Sequence, residues 1–438
     1  MTSRINRRRF LQTAAAAGVG YFVASRSSLS RAAISPNEKL NVAHIGTNNQ
    51  AAYDLREVSR CENANIVALC DVDEKLLGVA GDKFPKAKKF VDFRKMLDDM
   101  DKSIDAVVCA CPNHLHAVTA AYAIHRKKHV YVEKPLCHTV VEARTITELA
   151  RSAGVVTQMG TQIHAQPNYR RVVEIIQSGA IGPVSEVHIF CDKTHSAPPP
   201  MPTEAEPVPE GLHYDLWVGP APFRPFNTAW VPQKWRRYWV YGDGTLGDMA
   251  CHYKDLAFWA LGIRTPSRIW AEGPQLDPQC CPHDLTVHWE YPRQGQPPLK
   301  LTWYDGGRRP PQSKDWGLDP KLDAGVVFVG SKGVLFADYT KYKLLPEKQF
   351  AGFTPPPKTI PDSIGHHREW VEACRKGDVN ATLCHFDYSG PLSEAVLLGN
   401  VAYRTGKALE WDAKNLRVTN EPDAAQYLHY EYRKGWTL

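Results

Sequence analysis

From residue 40 onward, short β-branched, apolar runs alternate with helical stretches, and this alternation leaves few folds open to the chain. The runs fall at 41–45, 65–70, 106–111, 130–132 and 155–159. Between them lie patterns such as 114–125, where Leu115, Val118 and Tyr122 recur on one helical face. Strands joined by helices in this order pair in parallel, with helices covering both sides of the sheet, so the fold class is α/β.

After residue 160 the texture changes. Tyr169, Val172, Val173 and Ile176 recur at i, i+3, i+4 and i+7, predicting an amphipathic helix that stops at Gly179. Strands are expected at 184–190, 285–290, 300–304, 325–329 and 334–337, and helices at 364–376 and 392–404. A length of 438 residues suits two domains, placed here at 38–160 and 161–438. Within the second, residues 197–241 lack periodicity and form an irregular insertion. Nine aromatic residues fall between Tyr214 and Tyr241. Their flat faces and polar edges suit either stacking on a sugar ring or packing of the loop itself.

The net charge is +6, which would invite a nucleic-acid partner, but its location argues against one. Residues 1–33 hold six arginines and no Asp, Glu or Lys, and the remainder carries 47 basic and 47 acidic residues. Arg7-Arg8-Arg9-Phe10-Leu11 followed by a short apolar stretch resembles a twin-arginine export signal. The expectation is a cleaved signal at 1–33, the twin-arginine machinery as a partner and a periplasmic or otherwise exported product, with no membrane anchor. The eleven cysteines show no metal-ligand spacing, so no metal site is expected.

The first strand runs directly into Gly46-Thr47-Asn48-Asn49-Gln50-Ala51. A dinucleotide loop reads G-x-G-x-x-G/A, with glycines where the chain turns and where the backbone meets the pyrophosphate. Here Asn48 replaces the middle glycine, and asparagine tolerates positive φ better than most residues. Asp71 ends the second strand 25 residues after Gly46, where a carboxylate accepts hydrogen bonds from ribose hydroxyls and repels a 2′-phosphate. These features point to NAD rather than NADP, held in part by Gly46, Thr47, Asn48, Asn49 and Asp71.

Glu133-Lys134-Pro135 closes the strand at 130–132, and Cys111-Pro112-Asn113-His114-Leu115-His116 closes the one before it. With Gly160-Thr161-Gln162-Ile163-His164, Gly247-Asp248-Met249-Ala250-Cys251-His252 and the terminal Lys434-Gly435-Trp436, this pattern resembles the glucose–fructose oxidoreductase / inositol dehydrogenase / MocA family over nearly the whole chain after residue 33. The resemblance implies an N-terminal Rossmann domain of six strands. It also implies a C-terminal α/β domain with a large open, mainly antiparallel sheet, an active site between the two, and often a homo-oligomer paired through that sheet. It implies catalytic roles for Lys134, Asp248 and His252, with Pro112, Asn113, His116, Glu133, Lys134 and Gln162 at the cofactor. His164, Lys193, Trp235 and Arg236 are the candidate substrate contacts.

On this reading His252 takes the hydroxyl proton, Asp248 binds substrate or orients the imidazole, and Lys134 stabilises the developing alkoxide. The expected reaction is hydride transfer between nicotinamide and a sugar, polyol or glycoside. Two alternatives stand beside it. One is an NAD-dependent glycoside-cleaving enzyme working by transient oxidation and elimination; the other is a non-catalytic sugar-binding protein on the same scaffold.

Overall fold

The computed structural model describes residues 39–438, so the expected export signal at 1–33 lies outside the described residues. The first sheet is built from β1 (Leu40–Ile45), β2 (Ala64–Cys70), β3 (Lys88–Phe90), β4 (Ala106–Cys109), β5 (His129–Val132) and β6 (Thr157–Met159). Their order in space is β3-β2-β1-β4-β5-β6 and every pair is parallel. Val42, Ala43, Val107, Val108, Val130 and Val132 are fully buried, because helices cover both faces and leave no polar side to the strands.

Helices α1 (Gln50–Ser59), α2 (Glu74–Lys83), α3 (Phe93–Asp99), α4 (Asn113–His125) and α5 (Val140–Ala153) make the crossovers. The strand order reverses beside β1, so the chain leaves β1 and β4 on opposite sides of one crevice. Ligands bind there in open α/β sheets.

The second sheet follows α6 (Pro167–Gln177). It contains β7 (Val184–Cys191), β8 (Arg268–Glu272), β9 (Thr286–Arg293), β10 (Gln296–Asp305), β11 (Ala324–Gly330), β12 (Gly333–Ala337), β13 (Tyr342–Leu345), β14 (Leu409–Asp412) and β15 (Arg417–Val418). They lie in the order β13-β12-β11-β7-β10-β9-β8-β14-β15, antiparallel except where β7 meets β10. The remaining helices are α7 (Tyr214–Val218), α8 (Gly244–Leu261), α9 (His366–Lys376) and α10 (Phe386–Thr405).

Three features depart from the sequence reading. Strand β4 stops at Cys109, because the next residues turn into α4, which Pro112 opens as its N-cap. Helix α10 starts at Phe386, six residues before the predicted start, and carries Pro391 inside it. Tertiary partners hold that extra turn: Phe386 N donates to Thr157 Oγ1 at 2.9 Å, and Tyr388 Oη to Asp255 Oδ1 at 2.7 Å. Helix α9 returns to the first sheet, where Trp370 and Val371 pack with Leu40, Val42 and Tyr131. The first domain's core is therefore completed by residues from the far end of the chain.

Candidate active site

One cavity of about 360 Å³ opens at the carboxyl ends of β1, β2, β4 and β5 and runs toward α8. At one end lies the turn after β1. Gly46 has φ +89°, and a Cβ there would stand 2.3 Å from the Ala110 carbonyl oxygen, so no side chain fits between β1 and β4. The N-terminus of α1 lines the cavity through Asn48, Asn49, Gln50 and Ala51, and no side chain among the described residues caps it. Its first N–H groups therefore lack protein acceptors, as an anion-binding helix terminus requires.

The non-glycine residue with positive φ in this turn is Asn49, at 51°, while Asn48 lies exposed on the rim and does not fill the cavity. Asp71 Oδ2 accepts from Thr47 N at 2.9 Å and Thr47 Oγ1 at 2.7 Å, fixing the carboxylate at the end of β2. Burial raises the Asp71 carboxyl, partly offset by these donors. Leu76, Val91, Phe93 and Trp436 make the adjacent walls apolar. The residues present thus fit a dinucleotide: a glycine turn, uncapped helix donors, a fixed carboxylate and an apolar slot in one continuous space.

At the other end, Lys134 follows β5 and Asp248 lies in the second turn of α8. Lys134 Nζ donates to Asp248 Oδ1 at 2.8 Å and to the Asp248 carbonyl at 2.9 Å. Arg236 Nε reaches the same Oδ1 at 2.8 Å, and His195 Nε2 lies 3.0 Å from Oδ2. Burial works against the charged Asp248 carboxylate, but Lys134, His195 and Arg236 outweigh it and hold the group well below the usual range. Asp248 is thus a permanent anion that organises cations, not a proton acceptor. Arg236 also lies over the Trp235 ring at 4.2 Å, and Trp235, Arg236, Lys134 and Asp248 all line the cavity.

Glu133 lines the cavity from behind. Gln162 Nε2 donates to Glu133 Oε1 at 2.6 Å, and His367 Nε2 lies 2.8 Å from Asp54 Oδ1. Burial raises both carboxyls, Asp54 to about 7 and Glu133 to about 8, with the Asp54 charge pushing Glu133 further. Gly160 makes room for this group, since a Cβ there would meet Glu133 Oε1 at 2.2 Å. Pro112, Asn113 and His116 also line the cavity. The His116 ring bridges the Pro135 and Cys111 carbonyls at 2.8 and 2.7 Å, bracing the turn after β4 against the one after β5.

Several candidates lie elsewhere. Gln162 is occupied by Glu133 and Tyr131 and does not line the cavity. His164 is buried against Asp255 at 2.9 Å and stacked on Trp259 at 3.8 Å, away from the cavity, because α8 brings Asp255 opposite it. Lys193 is exposed. His252 is half-buried outside the cavity lining, with a buried Nδ1 that has no hydrogen-bond partner among the described residues. Burial, and then the Lys134 charge, drives its imidazole down to about 3. Asp248 orients Lys134, Arg236 and His195, and no hydrogen bond joins it to His252. His366 and His367 are buried packing residues rather than solvated ones.

The cavity is roofed by the aromatic insertion, which supplies Leu212, Leu216, Trp217 and Val231. His213 N donates to the Val72 carbonyl at 2.8 Å, pinning this roof to the end of β2. Its aromatic residues pack mainly on one another: Trp217, Trp230, Tyr238 and Tyr241 form a separate core. His195 follows a strand end and Trp217 belongs to the aromatic insertion, so the sequence offers both as residues that could face substrate, but not the contact of His195 with Asp248.

Two family models match the chain. The Gfo/Idh/MocA model described as an oxidoreductase family with an NAD-binding Rossmann fold matches residues 40–161, and its C-terminal alpha/beta domain model matches 198–296, together just over half of the chain. An uncharacterized oxidoreductase, YrbE of Bacillus subtilis, is 27% identical over 232 residues, 53% of this chain and 56% of its own. The levoglucosan dehydrogenase of Pseudarthrobacter phenanthrenivorans is 26% identical over 194 residues, 44% of this chain and 42% of its own. The aligned region thus spans about half the length of these curated relatives. The structure of the WlbA dehydrogenase from Bordetella pertussis in complex with NADH and UDP-GlcNAcA superposes with a TM-score of 0.61 at 16% identity, covering 86% of this chain and 99% of that one. With both of its domains matched in order, the chain belongs to the Gfo/Idh/MocA oxidoreductase family.

Proposed function

We propose that this chain is an exported, NAD-dependent oxidoreductase that moves a hydride between nicotinamide and a hydroxyl-bearing carbon of a sugar, polyol or glycoside. The observation that carries the reading is the continuity of one cavity from the Gly46–Asp71 end to the Lys134–Asp248 cluster. A dinucleotide laid along it would reach from the fixed carboxylate to the ammonium group. NAD would supply the hydride acceptor or donor.

The chain's own residues do the rest. Lys134, held by Asp248, presents its charge to the oxygen that becomes an alkoxide or is protonated. Arg236 adds positive potential beside it. His252 lies outside the cavity lining, and an imidazole driven down to about 3 is too weak a base to take the hydroxyl proton there. Asp71 favours NAD over NADP, because its carboxylate stands where a 2′-phosphate would bring like charge. The levoglucosan dehydrogenase among the relatives supports a carbohydrate substrate, and the twin-arginine pattern at residues 7–11 supports export to the periplasm. Pairing of two copies through the nine-stranded sheet belongs to the same reading.

Mass spectrometry of the denatured, purified protein tests the cofactor. NAD released in near-stoichiometric amount is expected, and NADP or no dinucleotide would overturn the assignment. A sugar and polyol panel followed by NADH absorbance tests the reaction. Free aglycone without net NADH would move the assignment to glycoside cleavage.

A further inference from the structure

A second cavity, of about 240 Å³, shares no lining residue with the first. It is enclosed by the start of α5, the insertion, the end of α10 and the C-terminal segment. We propose that it is a binding site for a small oxyanion, a carboxylate or phosphate group, with Arg224, Arg404 and Tyr430 as the donors.

The charge balance favours an anion. Arg224 and Arg404 line the cavity, and the only carboxylate lining it among the described residues is Asp243. That carboxylate is already taken: His138 Nδ1 lies 3.1 Å from its Oδ1, and Asn113 Nδ2 donates to its Oδ2 at 2.7 Å. His138 Nε2 faces the Trp239 carbonyl at 3.1 Å. Both ring nitrogens of His138 thus face acceptors, the arrangement of an imidazole carrying two protons. His138 and Asp243 satisfy each other, and neither Arg224 nor Arg404 forms an ion pair with a carboxylate among the described residues.

Three side chains with unmatched donors line the same space. The Arg404 guanidinium has no hydrogen bond or ion pair among the described residues. It lies over the Tyr427 ring at 4.3 Å and the Trp239 ring at 5.2 Å. Those aromatic faces hold its position, while its N–H groups point along its edges. Arg224 Nε and Tyr430 Oη are buried with no hydrogen-bond partner. Buried donors are costly to leave unmatched, and one oxyanion has enough lone pairs to satisfy all three.

Isothermal titration calorimetry of the full chain, saturated with NAD so that the helix terminus at residue 50 does not compete, tests the proposal with inorganic phosphate and gluconate as probes. One saturable site per chain is expected for at least one probe, and the probe that binds says which oxyanion the site takes. Arg404→Met and Tyr430→Phe should each weaken binding, the former by about ten-fold or more. Tyr430→Phe keeps the ring and its packing, so the test stands even if Arg404→Met does not fold. Lys134→Met should leave the affinity unchanged. A chain that takes up no NAD would still show phosphate binding sensitive to Arg404, which separates this site from the dinucleotide assignment. No saturable binding of either probe at millimolar concentration, or unaltered affinity in both folded variants, would overturn it.

Discussion

The Lys134 ammonium donates to both the side-chain Oδ1 and the backbone carbonyl of Asp248, at 2.8 and 2.9 Å. An ammonium group has three donors, so this pairing leaves one for a substrate oxygen and fixes its direction. Lys134→Met should keep the fold and the dinucleotide and lower turnover by about 100-fold to 1,000-fold, the loss usual for one electrostatic donor at a developing oxyanion. Steady-state rates against NAD retention by mass spectrometry check this. Full turnover would remove Lys134 from the chemistry.

Asp54 and Glu133 give stability a measurable pH slope. Burial raises the Asp54 carboxyl to about 7, whereas in the unfolded chain it titrates near 4. Between those values the native state keeps a proton that the unfolded state releases. The contribution of Asp54 is therefore complete below roughly pH 4 and is lost as pH rises through roughly 7. Asp54→Asn should flatten the fall of the melting temperature between about pH 5 and 7. An unchanged slope in scanning calorimetry would show that the proton is held elsewhere.

Gly46 serves conformation and clearance at once. At φ +89°, with the Ala110 carbonyl 2.3 Å from any Cβ, Gly46→Ala must shift β1 against β4. A loss of about 1–3 kcal/mol in urea unfolding is expected. NAD retention should fall with it, because the displaced turn carries Thr47 and the start of α1.

Asp71 anchors Thr47 as well as facing the cavity. Asp71→Ala should weaken NAD binding by about ten-fold and reduce the preference over NADP, since both the carboxylate and the position of Thr47 are lost. Equilibrium titration with the two dinucleotides reads the ratio. An unaltered ratio would mean that Asp71 does not face the ribose.

Much of the first domain was readable because its signals are local. The runs ending at Ile45, Cys70 and Val132 are mainly apolar, as strands buried on both faces are, with Asn41, His44 and Asn65 as the polar exceptions, and Gly46 and Lys134 stand where those strands end. No run in the sequence marks β3, β8, β13, β14 or β15, which are two to five residues long. Such short strands, at or near the sheet edges, owe their pairing to neighbours distant in sequence, and a window of residues contains no record of that.

The site divides along the same line. Local pattern alone established a parallel α/β sheet, a glycine turn after its first strand and a carboxylate at the end of its second, since strand periodicity and backbone sterics act within a few residues. Contacts across the fold decided how the chemical groups are used. Lys134 meets Asp248 across 114 positions, His195 joins them from just beyond the end of β7, and Asp255 draws His164 away into the core. Hydrogen bonds and charges act through space, so their partners are chosen only when the sheets and α8 have packed together.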